Sequence, residues 1–377
     1  MKIGIDASRY KIKEPTGVEW YSYHLLNYLI PLLGTDHQVE ATLYTQQKTA
    51  FETELPFNVK EKVIPQRRLW TMIRLSWEML IRPIDLLFVP SHILPLCLPK
   101  KTVVTVHDIA FKMPGFEKAY DFKNKFLLNW STRRAVKKAY KIIVPSEATK
   151  NDLINIYRCK AEKIFVIPHG GPDITGENNP LLKKWKSEDV QKILERVGLK
   201  EGDLTILYVG RIEFKKNLVK LVEGFSRFLK EYPGWKLVLA GKNGMGAEEV
   251  TAKIDELGLS KSVVMTGYIS EDEKRYLLNK CRVFAFPSKY EGFGLPILEA
   301  FAYRRPVLTS KVSSMPEVAG KAAFLVDPDN VAEISVGLKR LVADGVLISK
   351  LIGEGDRQLE KFDWEKAARE TFEVINS

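Results

Sequence analysis

Residues 283–299 read Val283-Phe-Ala-Phe-Pro-Ser288-Lys-Tyr-Glu291-Gly-Phe-Gly-Leu-Pro-Ile-Leu-Glu299. The stretch opens as a continuous apolar run of strand type, turns through Gly292 and Gly294, and enters a helix that continues through Ala300 and Phe301. Strand, glycine turn and helix in immediate succession make the repeating unit of a parallel α/β sheet. The two glycines let the backbone approach a ligand closely, and Pro296 suits a first helical turn. Free N–H groups at such a helix start, with the helix dipole behind them, form an anion site. Glu291 lies in the loop and Glu299 on the first turns of the helix, where both can face one ligand. The plainer reading makes Glu299 an exposed helix residue and the glycines a tight turn. Spacing alone leaves both open.

Outward from this unit, similar apolar runs recur along the chain. They fall at 2–6, 41–45, 85–90, 102–107, 141–145 and 163–168, and again at 204–210, 236–241, 263–267, 282–288, 306–310 and 322–327. Most are continuous rather than alternating, the pattern of parallel strands covered on both faces. Two successive series predict an α/β protein of two doubly wound, Rossmann-like domains. The expected boundaries are 1–172 for the first domain, 173–200 for a hinge or linker, and 201–362 for the second. The linker begins after His169-Gly170-Gly171-Pro172 and holds Gly176, Asn178, Asn179 and Pro180. Residues 363–377, with Trp364, Ala367, Ala368, Phe372 and Val374, read as an amphipathic helix free to pack on either domain, including by crossing back to the first.

The 377 residues are 45% hydrophobic and 28% charged, which excludes disordered, collagen-like and disulfide-scaffold classes. No apolar run approaches the ~20 residues of a membrane span. The opening Met1-Lys-Ile-Gly-Ile-Asp6 turns charged too early for a signal-peptide core. Cys97, Cys159 and Cys281 are scattered and odd in number, so neither a zinc site nor a disulfide framework is expected, and a reducing cytosol is the simple compartment. Of the net charge of +11, +10 lies before residue 173. The first half is therefore built to meet something anionic: nucleic acid, a membrane surface or a phosphorylated acceptor.

Three further segments carry chemistry. Gly210-Arg211-Ile-Glu-Phe-Lys215-Lys216-Asn217 follows a strand, where Arg211 and Lys216 can clamp a diphosphate or merely form a solvated basic loop. His107, in Val106-His107-Asp108, also ends a strand, and can donate to a sugar hydroxyl, carry a proton, or be satisfied locally. Pro15-Thr16-Gly17-Val18-Glu19 follows the first strand, so that Gly17 either cradles a phosphate or simply turns the chain. Two segments read as decoys. Asp327-Pro-Asp329 spells a metal-type D-x-D but runs into Asn330-Val-Ala-Glu333, a capping box. Gly241-Lys-Asn-Gly244-Met-Gly246 lacks the order of a dinucleotide fingerprint.

Taken together these residues resemble family 4 of the glycosyltransferases, retaining enzymes of the two-domain GT-B fold. The carriers are the E-x7-E of Glu291 and Glu299 with its Gly-Phe-Gly-Leu-Pro interior, Gly210-Arg211-(x4)-Lys216, and Met315-Pro-Glu-Val318. Thr16-Gly17 with Tyr21, and His107-Asp108, are similar to its mannosyltransferase-like branch. Pro168-His-Gly-Gly171 resembles its hinge, where Asn more often replaces His169. The resemblance implies two domains facing each other across a cleft and a nucleotide diphosphate sugar as donor, GDP-mannose or a UDP-hexose, with mannose favoured. It implies that Arg211 and Lys216 hold the diphosphate and that Gly294 and Leu295, which follow Phe293 of the same donor site, offer backbone N–H groups to sugar and phosphate. Glu291 would bind sugar hydroxyls, Glu299 the ribose, and the backbone near Tyr268 and Ile269 the base. Gly210 lines the same donor site, Gly17 closes over the diphosphate, and His107 reaches the sugar. It further implies no metal and no cofactor, front-face substitution with retention, and a glycan or lipid-linked acceptor in cell-surface polysaccharide assembly.

The first domain usually faces the acceptor, and its charge is concentrated in two amphipathic segments. One is Arg67-Arg68-Leu-Trp70-Thr-Met-Ile-Arg74-Leu-Ser-Trp77; the other carries Lys123, Lys125, Arg133, Arg134, Lys137 and Lys138 around Trp130. Both suit an interfacial helix on anionic lipid at the inner face of the plasma membrane, or ordinary helices with solvated charges. Competing readings are a nucleotide-sugar epimerase or phosphorylase on the same architecture, and a non-enzymatic nucleic-acid- or anionic-lipid-binding protein. Against nucleic acid, the charge is dispersed and no recognition motif appears.

Overall fold

A computed structural model describes every residue except 11–16, 67–68, 117–118 and 175–178. The chain divides into two compact units. The first comprises Met1–Lys112, Asp121–Gly170 and Phe362–Ser377; the second comprises Met113–Tyr120 and Gly171–Lys361.

The first unit holds β1 (Lys2–Asp6), β2 (Glu40–Thr45), β3 (Val59–Val63), β4 (Leu86–Val89), β5 (Lys101–Thr105), β6 (Lys141–Val144) and β7 (Ile164–Val166). They form one sheet in the order β3-β2-β1-β4-β5-β6-β7, with every neighbouring pair parallel. Leu86, Leu87, Phe88 and Val89 of β4 are all buried, as are Ile142, Ile143 and Val144 of β6 after a buried Lys141, which explains their continuous apolar runs. β3 escapes the apolar-run criterion because it is an edge strand, Val59-Lys-Glu-Lys-Val63, with a mostly solvated face.

The helix Trp364–Asn376 packs along the helix Gly17–Thr35 and so belongs to this first unit. Its Trp364 ring stacks on His24 at 5.1 Å between centroids. Gly170 makes that approach possible, since a Cβ there would lie 2.4 Å from the Trp364 backbone nitrogen. The Lys141 ammonium closes the far end, donating to the Val374 carbonyl at 3.1 Å and to Ser377 Oγ at 2.5 Å.

The second unit holds β8 (Thr205–Val209), β9 (Lys236–Ala240), β10 (Val263–Gly267), β11 (Val283–Phe286), β12 (Val307–Ser310) and β13 (Ala323–Val326). Their order is β10-β9-β8-β11-β12-β13, again parallel throughout. In such a sheet the crossovers reverse direction between β8 and β11, leaving a crevice outside their carboxyl ends. The strands are shorter than the apolar runs that announce them, because flanking Pro and Gly residues leave the ladder first. Residues Ser187–Val197, inside the stretch read as a linker, form a helix packed on β10 and on the helix Glu271–Lys280. The capping box at Asn330 starts the helix Val331–Ala343, as its sequence predicts, and the helix Gly345–Leu359, which the pattern leaves unassigned, follows it.

Candidate active site

In the second unit the segment after β8 is set by close backbone packing. Gly210 has φ +148°, and a Cβ at neighbouring Gly241 would fall 2.0 Å from the Gly210 carbonyl oxygen. The Tyr208 hydroxyl donates to the Arg211 carbonyl at 2.9 Å, pinning the turn. Arg211 itself projects into solvent, its Nε 3.3 Å from Glu213. Lys216 ends the short turn Phe214–Lys216 and points the other way, its Nζ 2.6 Å from Glu291 Oε1 and 5.0 Å from the Phe286 ring centroid. Asn217 follows with φ +61° and is buried. Its amide donates to the carbonyls of Pro287, at 3.1 Å, and Pro328, at 2.6 Å, tying this loop to those after β11 and β13.

The Glu291 loop is held by two adjacent serines. Ser313 Oγ donates to the Glu291 carbonyl at 2.6 Å, and Ser314 Oγ reaches the carbonyls of Glu291 and Phe293 at 2.9 and 2.6 Å. Gly294, with φ +118°, caps the helix Leu295–Ala302, and Pro296 sits in its first turn. Only glycine takes that conformation without strain, and of the first helical N–H groups it is that of Leu295 that faces an anion, since Pro296 has none and the Ile297 N–H donates to the Gly294 carbonyl at 2.9 Å. The structure thus brings Lys216 and Glu291 together at the switch point of the sheet, beside a helix N-terminus. A lysine has three N–H bonds, so pairing with Glu291 leaves donors for a second anion.

Glu299 has a different partner. Lys274, from the helix Glu271–Lys280, donates to its Oε1 at 2.6 Å and also pairs with Glu271 at 3.0 Å. The two carboxylates hold the Lys274 ammonium well above its ordinary pKa despite its burial. Tyr268 and Ile269 follow β10, the first half exposed and the second buried. Arg196 clasps that backbone, donating to the Thr266 carbonyl at 3.0 Å and to the Tyr268 carbonyl, while its Nε lies 3.4 Å from Glu273. The Lys242 ammonium lies over the Tyr268 ring at 5.1 Å. Arg196, Lys274, Ser313 and Ser314 are not marked by the sequence patterns, and Asn217 closes a marked segment without a role of its own.

In the first unit His107 follows β5 and is buried against Tyr21 and His169, with ring centroids 4.7 and 5.7 Å away. Its Nε2 lies 3.1 Å from the Pro90 carbonyl. A carbonyl only accepts, so the proton sits on Nε2 and Nδ1 keeps a lone pair. Burial pushes the ring's pKa down to about 4, leaving it neutral at pH 7. A neutral His107 with its one proton on Pro90 accepts a hydrogen bond at Nδ1 rather than donating one. Burial holds neighbouring His169 well below its usual value too. Gly17 opens the helix Gly17–Thr35 with nothing within 4 Å of a notional Cβ. Pro15 and Thr16 lie outside the described residues.

The Asp327-Pro-Asp329 segment is a helix cap: Asn330 accepts from the N–H groups of Ala332 and Glu333 at 3.0 and 3.2 Å, and Glu333 accepts from the Asp327 N–H at 2.8 Å. Among the described residues no His, Cys, Asp and Glu side chains gather as a metal-ligand group.

Two Rossmann-like parallel sheets in one chain are the architecture of the GT-B glycosyltransferases. The chain belongs to the group 1 glycosyltransferases: residues 189–358 match the family described as "Glycosyl transferases group 1", and residues 15–171 match "Glycosyltransferase Family 4". It is 28% identical over 293 residues to the O-antigen chain mannosyltransferase B of Escherichia coli, covering 75% of this chain and 71% of that one. It is 27% identical over 285 residues to the serotype-specific mannosyltransferase WbdA of Escherichia coli, covering 72% of this chain and 33% of the longer relative. Its fold matches that of Anabaena HepE, solved with UDP and glucose, with a TM-score of 0.72 at 18% identity over 100% of this chain and 99% of that one.

Proposed function

We propose that this glycosyltransferase moves a hexose, mannose in preference, from a nucleotide diphosphate sugar to a glycan or lipid-linked acceptor, with retention and without a metal. The observation that carries the proposal is the Lys216–Glu291 pair at 2.6 Å, set beside the Gly294 helix start at the sheet's switch point. The remaining Lys216 donors, Arg211 and the Leu295 N–H supply the positive charge that a departing diphosphate needs. Glu291, with one oxygen on Lys216, offers the other to a sugar hydroxyl. Glu299, steadied by Lys274, accepts from the ribose, and the backbone clasped by Arg196 meets the base.

In the transfer step the bond between the anomeric carbon and the diphosphate oxygen breaks as the acceptor oxygen bonds the same face. The acceptor's proton passes to the departing phosphate. Mannose is favoured by the names of the two Escherichia coli relatives. A UDP-hexose is the second reading, favoured by the UDP and glucose held by HepE.

A thermal-shift panel of GDP, UDP, dTDP and ADP, each with and without EDTA, tests the reading. A ligand at ~100 times its Kd adds ~2.7 kcal/mol, enough to raise the melting point by degrees. A shift by GDP that EDTA leaves intact supports mannose transfer without a metal, and a shift by UDP alone moves the donor to a UDP-hexose. No shift with any of the four overturns the donor site.

A further inference from the structure

The ring of His107 is held from three sides. Its Nε2 donates to the Pro90 carbonyl at 3.1 Å. The Tyr21 ring meets it edge-on, with centroids 4.7 Å apart and 78° between planes, and the His169 ring lies 5.7 Å away at 64°. Tyr21 is itself fixed, since its hydroxyl lies 3.1 Å from Thr105 Oγ1 at the end of β5. A single hydrogen bond leaves an imidazole free to tilt about it, and the two ring contacts take that freedom away. They therefore set where the Nδ1 lone pair points.

His169 is fixed in turn from the last helix. It meets Tyr21 at 4.7 Å and Trp364 at 5.7 Å, the indole stacked on it with 19° between planes. Trp364 also stacks on His24, at 5.1 Å and 16°, and His24 on Trp20, at 5.4 Å and 22°. Four rings thus follow one another in near-parallel order, from the partly exposed Trp20 to the buried His169, and Tyr21 and His107 close the inner end. Trp20 and His24 stand one helical turn apart on the helix Gly17–Thr35. Trp364 opens the helix Trp364–Asn376, where the Asp363 carboxylate caps it by accepting from the Glu365 N–H at 2.9 Å. The rest of that helix buries Ala367, Ala368, Thr371 and Ile375, and Trp364 adds the contact with the histidines.

We propose that Trp364 is a positioning residue for transfer: acting through His169, it fixes the plane of His107 and the direction of its Nδ1 lone pair, which accepts from a hydroxyl of the transferred sugar. The inference rests on the transferase reading, in which His107 meets that sugar, and adds to it a residue of the last helix that works at second hand. A hydroxyl hydrogen bond weakens steeply when its direction is lost. A displacement of about 1 Å caused far from the reacting bond can cost ~10²-fold in rate, so a tilted His107 ring is felt in turnover. A stack that only steadied the fold would lower stability on removal and leave the His107 ring as it was.

The test compares three variants of the full chain. Trp364→Leu keeps an apolar side chain without the ring, and Trp364→Phe restores a ring. Ile375→Ala removes a buried side chain about 16 Å further along the same helix, at about 1.5 Å per residue. The chain has five histidines, so proton–nitrogen correlation spectra of histidine-labelled protein separate their rings, and His107→Gln assigns the signals of His107. Wild type should show His107 protonated at Nε2 and bare at Nδ1. Trp364→Leu should shift or broaden these signals and lower kcat by about tenfold, while the melting-point rise given by GDP or UDP stays as in wild type. Trp364→Phe should recover both, and Ile375→Ala should lower the melting point while leaving the His107 signals and kcat alone. His107 signals unchanged in Trp364→Leu overturn the proposal, as does an equal fall of kcat in Ile375→Ala. Wild-type turnover in His107→Gln removes His107 from the transfer and the proposal with it. Failure of every nucleotide to shift the wild-type melting point counts against the transferase reading instead, and is told apart because the His107 spectra do not depend on it.

Discussion

Lys274 donates to Glu299 across 2.6 Å, the same separation at which Lys216 holds Glu291. The two glutamates of one short motif are therefore each fixed by a lysine from a different element. Lys274 faces two carboxylates and is mostly buried, so removing it leaves Glu299 and Glu271 near one another with no cation between them. Lys274→Met should destabilise the chain by roughly 3 kcal/mol, the scale of breaking a buried pair. It should also weaken binding of a ribonucleoside diphosphate more than that of its deoxy counterpart. Thermal melts and parallel titrations with the two nucleotides check both effects; equal losses would detach Lys274 from any ribose contact.

Arg211 and Lys216 differ in environment but are assigned to one charge. Arg211→Ala and Lys216→Ala should each lower turnover by ~10²-fold or more, the effect of losing one charge-stabilising donor. Because Lys216 also holds Glu291, its variant should lose sugar-nucleotide affinity as well, whereas Arg211, with 57% of its side chain exposed, should leave stability unchanged. Steady-state kinetics with the donor identified by the nucleotide panel measure this, and wild-type turnover in either variant would refute the assignment.

Asn217 adopts φ +61° and donates to two carbonyls from distant loops. Asn217→Ala removes both hydrogen bonds, leaves two buried acceptors unpaired, and puts a Cβ residue without a local polar group in the left-handed region. A loss of about 3 kcal/mol is expected, read as a lower urea midpoint with unchanged m. Asn217→Gly, which relieves only the backbone conformation, should recover a minor part.

His107 is neutral in the fold, with its pKa pushed down to about 4 by burial, against about 6.5 for an unfolded histidine. Below pH 6.5 the unfolded chain takes up a proton that the folded chain refuses, so stability falls as the pH drops. The contribution is fully present above about 6.5 and is lost progressively toward about 4. His169, lowered by the same burial, acts in the same direction. Melting points recorded from pH 7.5 to 4 should decline more steeply for wild type than for His107→Gln; parallel curves would contradict the buried neutral ring.

Much of this architecture was legible from apolar runs alone. Strands such as Leu86–Val89 and Val283–Phe286 are covered on both faces, and continuous burial leaves a continuous signature. β3 was not, because Val59-Lys-Glu-Lys-Val63 is an edge with charges on it. In the site, Glu291, Glu299 and Lys216 are visible because they lie within a few residues of a glycine turn or a strand end. Arg196 and Lys274 are silent in sequence, and Asn217 shows there without its role, since each works by meeting a backbone or carboxylate that only the fold brings near. The D-x-D at Asp327 shows the converse, a conspicuous pattern that leads into the Asn330 cap of a helix and whose carboxylates pair with Lys311 and Lys289.

The return of Trp364–Asn376 to the first unit sets an order of events during synthesis. A ribosome has released every residue of the second unit before residues 362–377 emerge. The strands β1–β7 have all emerged by then, and what the first unit still lacks is its last helix, leaving the groove along Gly17–Thr35 uncovered and His24 and Gly170 without Trp364. The unit translated first is the one completed last. A premature stop or proteolytic clip near residue 361 would accordingly damage the distant first unit and spare the one to which it is adjacent.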